Sequence, residues 1–162
     1  MGEYVPYRKL KKIIADKKRQ GKKVVLTGGC FDILHLGHIY LFRKSKKIGD
    51  ILVVNVVNDQ RIRRYKGANR PINKSLHRAR VISSLEMVDY ATVHPSVDKG
   101  PTTELALIIK PDVIVKGKIW KDEEKERMKE LFDYGVVLKY IRRSHFKTST
   151  TKIIGKIKKL VV

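Results

Sequence analysis

From residue 7 to residue 20, Leu10, Ile13 and Ile14 stand at helical spacing among lysines and arginines, and Gly21 follows as a stop. The pattern predicts an amphipathic leading helix within 1–21. Lys22 and Lys23 then open Val24-Val25-Leu26-Thr27, a short apolar run of the kind buried in a parallel strand, and Gly28-Gly29 break it. Residues 37–48 suit a helix, with Gly49 where a C-cap glycine would stand. The alternation repeats. Ile51 to Val57 predicts a β-branched strand, Asn58 to Asn73 a polar loop with a short basic turn, and Ser75 to Glu86 a helix with Leu76, Ala79, Val81, Ile82 and Leu85 on its apolar side. Tyr90 to Val93 predicts a strand, Thr102 to Ile109 a helix, Asp112 to Val115 a strand and Asp122 to Tyr134 a charged helix. Val136 to Ile141 gives the last strand and Ser149 to Leu160 a closing amphipathic helix. Strands alternating with helices imply an α/β fold: a doubly wound parallel sheet of about five strands with helices on both faces. Right-handed crossovers put every strand's C-terminal end on one edge, where ligands bind.

Composition narrows the class. The 162 residues suit a single domain over 1–162, and 42% of them are apolar, so the chain is expected to be globular. No apolar run approaches the ~18 residues of a membrane span, and Met1 to Lys12 is too polar for a secretory signal. A lone cysteine, Cys30, allows no internal disulfide and fits a reducing cytoplasm. Thirty-seven basic residues against sixteen acidic ones give a net charge of +21, which points to polyanionic partners: nucleotides and phosphorylated substrates, or nucleic acid.

The chemistry is concentrated in Thr27-Gly28-Gly29-Cys30-Phe31-Asp32-Ile33-Leu34-His35-Leu36-Gly37-His38. This stretch follows the first strand and opens a helix, the phosphate-binding position of a doubly wound sheet. Gly28 and Gly29 would let backbone N–H groups approach a phosphate with no Cβ in the way. It is neither a G-x-G-x-x-G fingerprint nor a P-loop. His35 and His38 stand three apart, so both imidazoles can donate to oxygens of one phosphate, and Gly37 between them leaves room for a flat base or ribose. A helix N-terminus keeps a histidine neutral, and a neutral imidazole still donates. Structural histidines at a helix start, or a zinc site with a single nearby thiol, are the competing readings.

Gly29-Cys30-Phe31-Asp32-Ile33-Leu34-His35-Leu36-Gly37-His38 resembles the H-x-G-H signature of the cytidylyltransferase-like nucleotidyltransferases, and Ser149-Thr150-Thr151-Lys152 resembles the S-T-T motif at the start of their last helix. Both motifs fall at helix N-termini. The resemblance is strongest to the nucleotidyltransferase domain of ADP-heptose synthases and runs from about Lys23 to Lys158. It includes Arg63-Arg64-Tyr65-Lys66-Gly67, Arg70-Pro71-Ile72-Asn73, His77-Arg78, Leu85-Glu86-Met87-Val88-Asp89 and Lys110-Pro111-Asp112-Val113-Ile114-Val115-Lys116-Gly117. Lys118-Ile119 replaces an expected Gly-Asp, and Lys147 replaces a glycine ahead of the S-T-T motif.

The resemblance implies a Rossmann-like fold and in-line attack by a substrate phosphate on the α-phosphorus of an NTP, with pyrophosphate leaving. His35 and His38 would contact the phosphates, and backbone N–H groups near Cys30 and Phe31 the α-phosphate. Thr148, Ser149, Thr150 and one of Arg142 or Arg143 would meet the triphosphate. Lys116 and Gly117 would lie beside the base, with Trp120 at the pocket mouth. Lys66 and Arg78 are assigned to the acceptor's phosphate, and Asp32 to capping its own loop or orienting a base or the metal. Cys30 is expected to be inert. Mg²⁺ would be held mainly through the nucleotide, with no protein metal site. ATP is favoured over CTP, a sugar phosphate such as heptose 1-phosphate is the expected acceptor, and a homodimer is usual for the group. CTP with glycerol 3-phosphate or phosphoethanolamine, and adenylyl transfer to FMN or phosphopantetheine, occur on the same scaffold. A nucleic-acid-binding module is the reading from another class. The sequence does not interleave basic and aromatic residues as an RNA-binding motif would, so nucleic acid is not the expected partner.

Overall fold

Six strands, all parallel, form one sheet in the order β1-β4-β3-β2-β5-β6. They are β1 (Glu3–Tyr4), β2 (Val24–Gly29), β3 (Ile51–Val57), β4 (Tyr90–His94), β5 (Val113–Lys116) and β6 (Val137–Tyr140). The helices are α1 (Tyr7–Arg19), α2 (Leu36–Lys46), α3 (Asp59–Lys66), α4 (Ser75–Ser83), α5 (Pro101–Ile109), α6 (Asp122–Glu126), α7 (Lys129–Phe132) and α8 (Thr150–Lys158). The computed structural model describes residues 2–97, 100–118, 121–142 and 148–160. None of its helices is long and apolar enough to cross a membrane.

Side chains alternate across a strand, so neighbouring residues of β2 and β3 feed different cores. Val24, Leu26 and Val53 pack with Leu10 and Ile14 of α1 and Leu105, Ala106 and Ile109 of α5. Val25, Leu52, Val54 and Val56 pack on the other face with Phe42 of α2 and Ala79 and Ile82 of α4. The central strands are apolar on both sides because both sides are covered.

Five strands and both helix layers follow the alternation of the sequence. The sixth strand, β1, is two residues long and joins the edge beside β4. The stretch predicted as loop contains α3, which Asn58 caps by accepting from the Arg61 N–H at 2.9 Å. The charged segment expected as one helix is two, α6 and α7, interrupted at Arg127–Met128. Gly49 is not a left-handed cap. It is needed because a Cβ there would come within 2.7 Å of the Lys23 carbonyl. On α4, Leu76 and Val81 face outward, and the inner face carries Arg78, Ala79, Ile82 and Ser83.

Chain order reverses about the centre of the sheet. From β2 the chain builds outward through β3 to β4, then returns to place β5 against the other side of β2. The crevice between the C-terminal ends of β2 and β5 is the topological switch point, where open α/β sheets bind ligands.

Candidate active site

The loop leaving β2 is held rigidly. Phe31 takes a left-handed backbone, φ +45°, costly for a residue with a Cβ. Its ring is gripped edge-on by His38 and Phe42, with centroids 5.1 and 5.0 Å away, and lies over Gly29, where a Cβ would meet it at 2.8 Å. Asp32 is buried. Its carboxylate accepts from the backbone N–H groups of Ile72 and Asn73, at 2.8 and 3.0 Å, and from Arg70 Nε at 2.8 Å. Burial alone would raise this carboxyl. The Asn73 and Ile72 N–H groups and Arg70 outweigh it and hold it below the ordinary carboxylate value. Asp32 therefore orients a basic residue, as anticipated, but the N–H groups it accepts from belong to the segment before α4 and not to its own loop.

His35 is the N-cap residue of α2, and His38 lies in the first turn. Their rings stack with centroids 3.7 Å apart and planes 24° from parallel. A Cβ on Gly37 would press within 3.1 Å of the His35 ring, so this glycine makes space for the histidine itself. His38 Nδ1 is buried and has no hydrogen-bond partner among the described residues. Burial first, and the charge of His35 second, push the His38 pKa down to about 4. His38 is neutral at pH 7 and can donate without carrying charge.

The second motif lies alongside. Thr150 Oγ1, at the start of α8, donates to the Ile33 carbonyl across 117 residues of sequence at 3.3 Å, and Ser149 caps α8 by accepting from the Lys152 N–H at 3.2 Å. The H-x-G-H loop and the S-T-T segment thus lie against one another, with Thr148 just before the cap. Arg142 is exposed, while Ile119, Trp120, Arg143 and Lys147 lie outside the described residues.

Arg78 requires correction. Its guanidinium is buried, its side chain 1% exposed, and it donates to the carbonyls of Asn73, Cys30 and Val57 and to the Asp59 carboxylate. A side chain with four internal acceptors cannot also clamp a substrate phosphate. It ties the β2 loop to the end of β3, to α3 and to the segment before α4. Lys66 is exposed at the end of α3. Burial raises the Cys30 thiol pKa, and the opposing charges of Lys66, Arg78 and Arg70 do not overcome it, so Cys30 stays protonated.

A cleft of about 220 Å³ opens at the switch point on the α5 side of the sheet. Gly28, Thr102, Lys116 and Glu124 line it, with Arg61 and Arg127 among its walls. The Lys116 ammonium is drawn into the cleft by Glu124, whose other oxygen accepts from the Lys121 N–H at 3.0 Å. Lys116, expected beside the base, thus lines the cleft as the partner of Glu124. Gly117, one residue on, faces α2 instead, with Leu41 3.9 Å from where its Cβ would stand. Gly28 and Gly29 both border the cleft, and neither has room for a side chain. A Cβ on Gly28 would overlap the Thr102 hydroxyl, and one on Gly29 the Phe31 ring. Arg61, Arg127, Glu124, Thr102 and Asn55 were not singled out from sequence. Asn55 gave a signal, as the one polar residue of the apolar strand Ile51–Val57.

A parallel sheet whose switch point joins a stacked histidine pair to a second helix start 117 residues away defines a nucleotide-binding α/β transferase domain. The chain belongs to the cytidylyltransferase-like family, whose model matches residues 26–156, and it is a nucleotidyltransferase domain. A bifunctional protein HldE from a Nitratiruptor species is 42% identical over 118 residues, 73% of this chain and 25% of that protein. HldE of Haemophilus influenzae (strain PittEE) is 40% identical over 151 residues, 93% of this chain and 31% of that protein. The chain therefore spans about a quarter to a third of these relatives' length. A lipopolysaccharide core biosynthesis protein from Thermoplasma volcanium GSS1 is 36% identical, with a TM-score of 0.62 over 78% of this chain and all of that one. A pantoate-beta-alanine ligase from Francisella tularensis, 16% identical with a TM-score of 0.61, shares the fold.

Proposed function

We propose that this chain transfers AMP from ATP to a phosphorylated polyol, a sugar phosphate such as heptose 1-phosphate, and releases pyrophosphate. The observation that carries the transfer is the meeting of the two motifs through Thr150 and Ile33. An oxygen of the acceptor's phosphate attacks the α-phosphorus in line, that P–O bond forms as the bond to the β-phosphate breaks, and the electron pair leaves with pyrophosphate. The N–H groups of His35 and of the neutral His38 meet the oxygens on which charge builds, and Ser149 and Thr150 stand at a helix start suited to the departing phosphates. Lys66 is assigned to the acceptor's phosphate. Mg²⁺ would arrive on the triphosphate and neutralise part of its charge. Asp32 is an unsuitable ligand for it, since its carboxylate already serves Ile72, Asn73 and Arg70.

The cleft supports the acceptor class. Two guanidiniums, an ammonium paired to a carboxylate and threonine hydroxyls suit an anion carrying many hydroxyls. The same cations oppose a cationic head group such as that of phosphoethanolamine, and no aromatic residue is present among the described residues of the lining. The preference for ATP rests on the resemblance to the nucleotidyltransferase domain of ADP-heptose synthases. A homodimer is also expected, and the outward Leu76 and Val81 of α4 offer it apolar surface. The test is pyrophosphate release with ATP or CTP against heptose 1-phosphate, glycerol 3-phosphate and phosphoethanolamine. Turnover is expected with ATP and the heptose phosphate. Turnover with CTP alone would overturn the nucleotide assignment, and turnover with phosphoethanolamine alone the acceptor class.

A further inference from the structure

Resting on the acceptor role assigned to the cleft above, we propose that Thr102 is a specificity residue: it donates a hydrogen bond to an oxygen of the acceptor, and Asn55 fixes the direction of that bond from beneath.

Asn55 lies in the middle of β3 and is fully buried. A buried amide must be paired, and its two ends are not interchangeable here. The His94 backbone N–H points at one end from 3.2 Å. An N–H can only donate, so that end is the carbonyl oxygen Oδ1. The other end, Nδ2, then faces Thr102 Oγ1 at 3.4 Å. Nδ2 can only donate as well, so the threonine oxygen accepts. The hydroxyl's own hydrogen must point elsewhere, and Thr102 makes no other hydrogen bond among the described residues.

Its surroundings say where that hydrogen goes. Thr102 lines the cleft, at the first turn of α5. The hydroxyl occupies the volume that a side chain on Gly28 would fill, so it lies against the end of β2 as well as β3. Below it is Asn55 and beside it the Gly28 backbone, which leaves the open side of the cleft. The order His94 N–H, Asn55 amide, Thr102 hydroxyl is a relay of three donors running in one sense from the core to the cleft. Its last member is a neutral donor, set among the charged Arg61, Arg127 and Lys116. A neutral donor held in one orientation selects a ligand oxygen with a free lone pair. An acceptor with a hydroxyl or ring oxygen at that place satisfies it, and one with a methylene there does not.

Pyrophosphate release is measured at saturating ATP with heptose 1-phosphate, glycerol 3-phosphate and phosphoethanolamine, for the wild type, Thr102→Val, Thr102→Ser and Asn55→Asp. Loss of one neutral hydrogen bond to the acceptor should raise the acceptor KM about tenfold in Thr102→Val and leave the ATP KM unchanged. Thr102→Ser should recover most of the loss. In Asn55→Asp both carboxylate oxygens accept, so the Thr102 hydrogen turns inward and the acceptor KM rises as in Thr102→Val. The double variant should be no worse than either single one. A contribution to folding alone would not produce that coincidence. An unchanged acceptor KM in Thr102→Val, or an equal rise in both KM values, would overturn the inference and leave the functional reading standing. The Val and Ser pair decides by itself where the buried aspartate lowers the stability of β3. Wild type that turns over none of the three acceptors would overturn the functional reading and the inference with it.

Discussion

Stacked on His35 and edge-on to Phe31, His38 titrates near pH 4 where an imidazole ordinarily titrates at 6.5. The consequence for stability has a definite sign. Between pH 6.5 and about 4 the unfolded chain takes up a proton that the folded chain refuses. The stabilisation is complete above the ordinary value and is lost as pH falls through that window. Urea unfolding should show wild-type stability declining from pH 6.5 towards 4, and His38→Ala should decline less. Equal slopes would show that the histidine is not held neutral. In kinetics, His38→Ala should lower kcat by about 10²–10³-fold with little change in the ATP KM, as loss of a donor to a transition-state oxygen does. A drop in melting midpoint with kcat intact would make His38 a packing residue. The sequence displayed this pair plainly, because the histidines stand three apart in the H-x-G-H pattern behind a glycine turn at a helix start. It did not display Asn55 as functional. One amide in an apolar strand announces only that it needs partners, and those partners come from β4 and α5.

Among the elements, α4 shows why a side chain's type says less than the face it occupies. Helical spacing put Leu76 and Val81 with the core, and packing turned both outward and Arg78, assigned to the acceptor's phosphate, inward. The reversal follows from the carbonyls of Cys30, Val57 and Asn73 and the Asp59 carboxylate, which converge on one point and need a planar fork of donors. Arg78→Ala should cost about 3–5 kcal/mol of stability by leaving Asp59 and three carbonyls unpaired. Arg78→Lys should recover little, since one ammonium cannot reach four acceptors. Thermal unfolding together with both KM values is the measurement. A stable Arg78→Ala enzyme with only the acceptor KM raised would return Arg78 to substrate binding. The helix α3 was legible in principle from Asn58 and Asp59, a cap and an acidic first turn, although its polar composition resembles a loop. The break between α6 and α7 has no glycine or proline to mark it.

For the molecule as a whole, the net charge of +21 acts on stability as well as on ligands. Like charges across one surface repel more when the protein is folded than when the chain is extended. Raising the salt from roughly 0.01 M to roughly 0.1 M shortens the screening length from about 30 to about 10 Å, so the melting midpoint should rise. A midpoint that falls with salt would mean that ion pairs such as Lys46–Asp89 and Lys18–Asp112 outweigh the repulsion. Strand alternation made the sheet and its ligand edge legible from the start, because that edge follows from handedness. The cleft was not legible. Its walls come from β2, β3, β5, α3, α5, α6 and the break after α6, and no spacing along the chain announces their meeting.

The contact between Thr150 and Ile33 also bears on time. A chain is made from its first residue to its last, and the partner of the β2 loop is made more than a hundred residues after it, 117 between Ile33 and Thr150. Through most of synthesis the histidine loop can rest on β2 and β3 as they form, but the hydroxyls of α8 do not yet exist. A growing chain of this kind gains the centre of its sheet before it gains a complete grip on a triphosphate, so nucleotide can reward only a chain that has already reached α8.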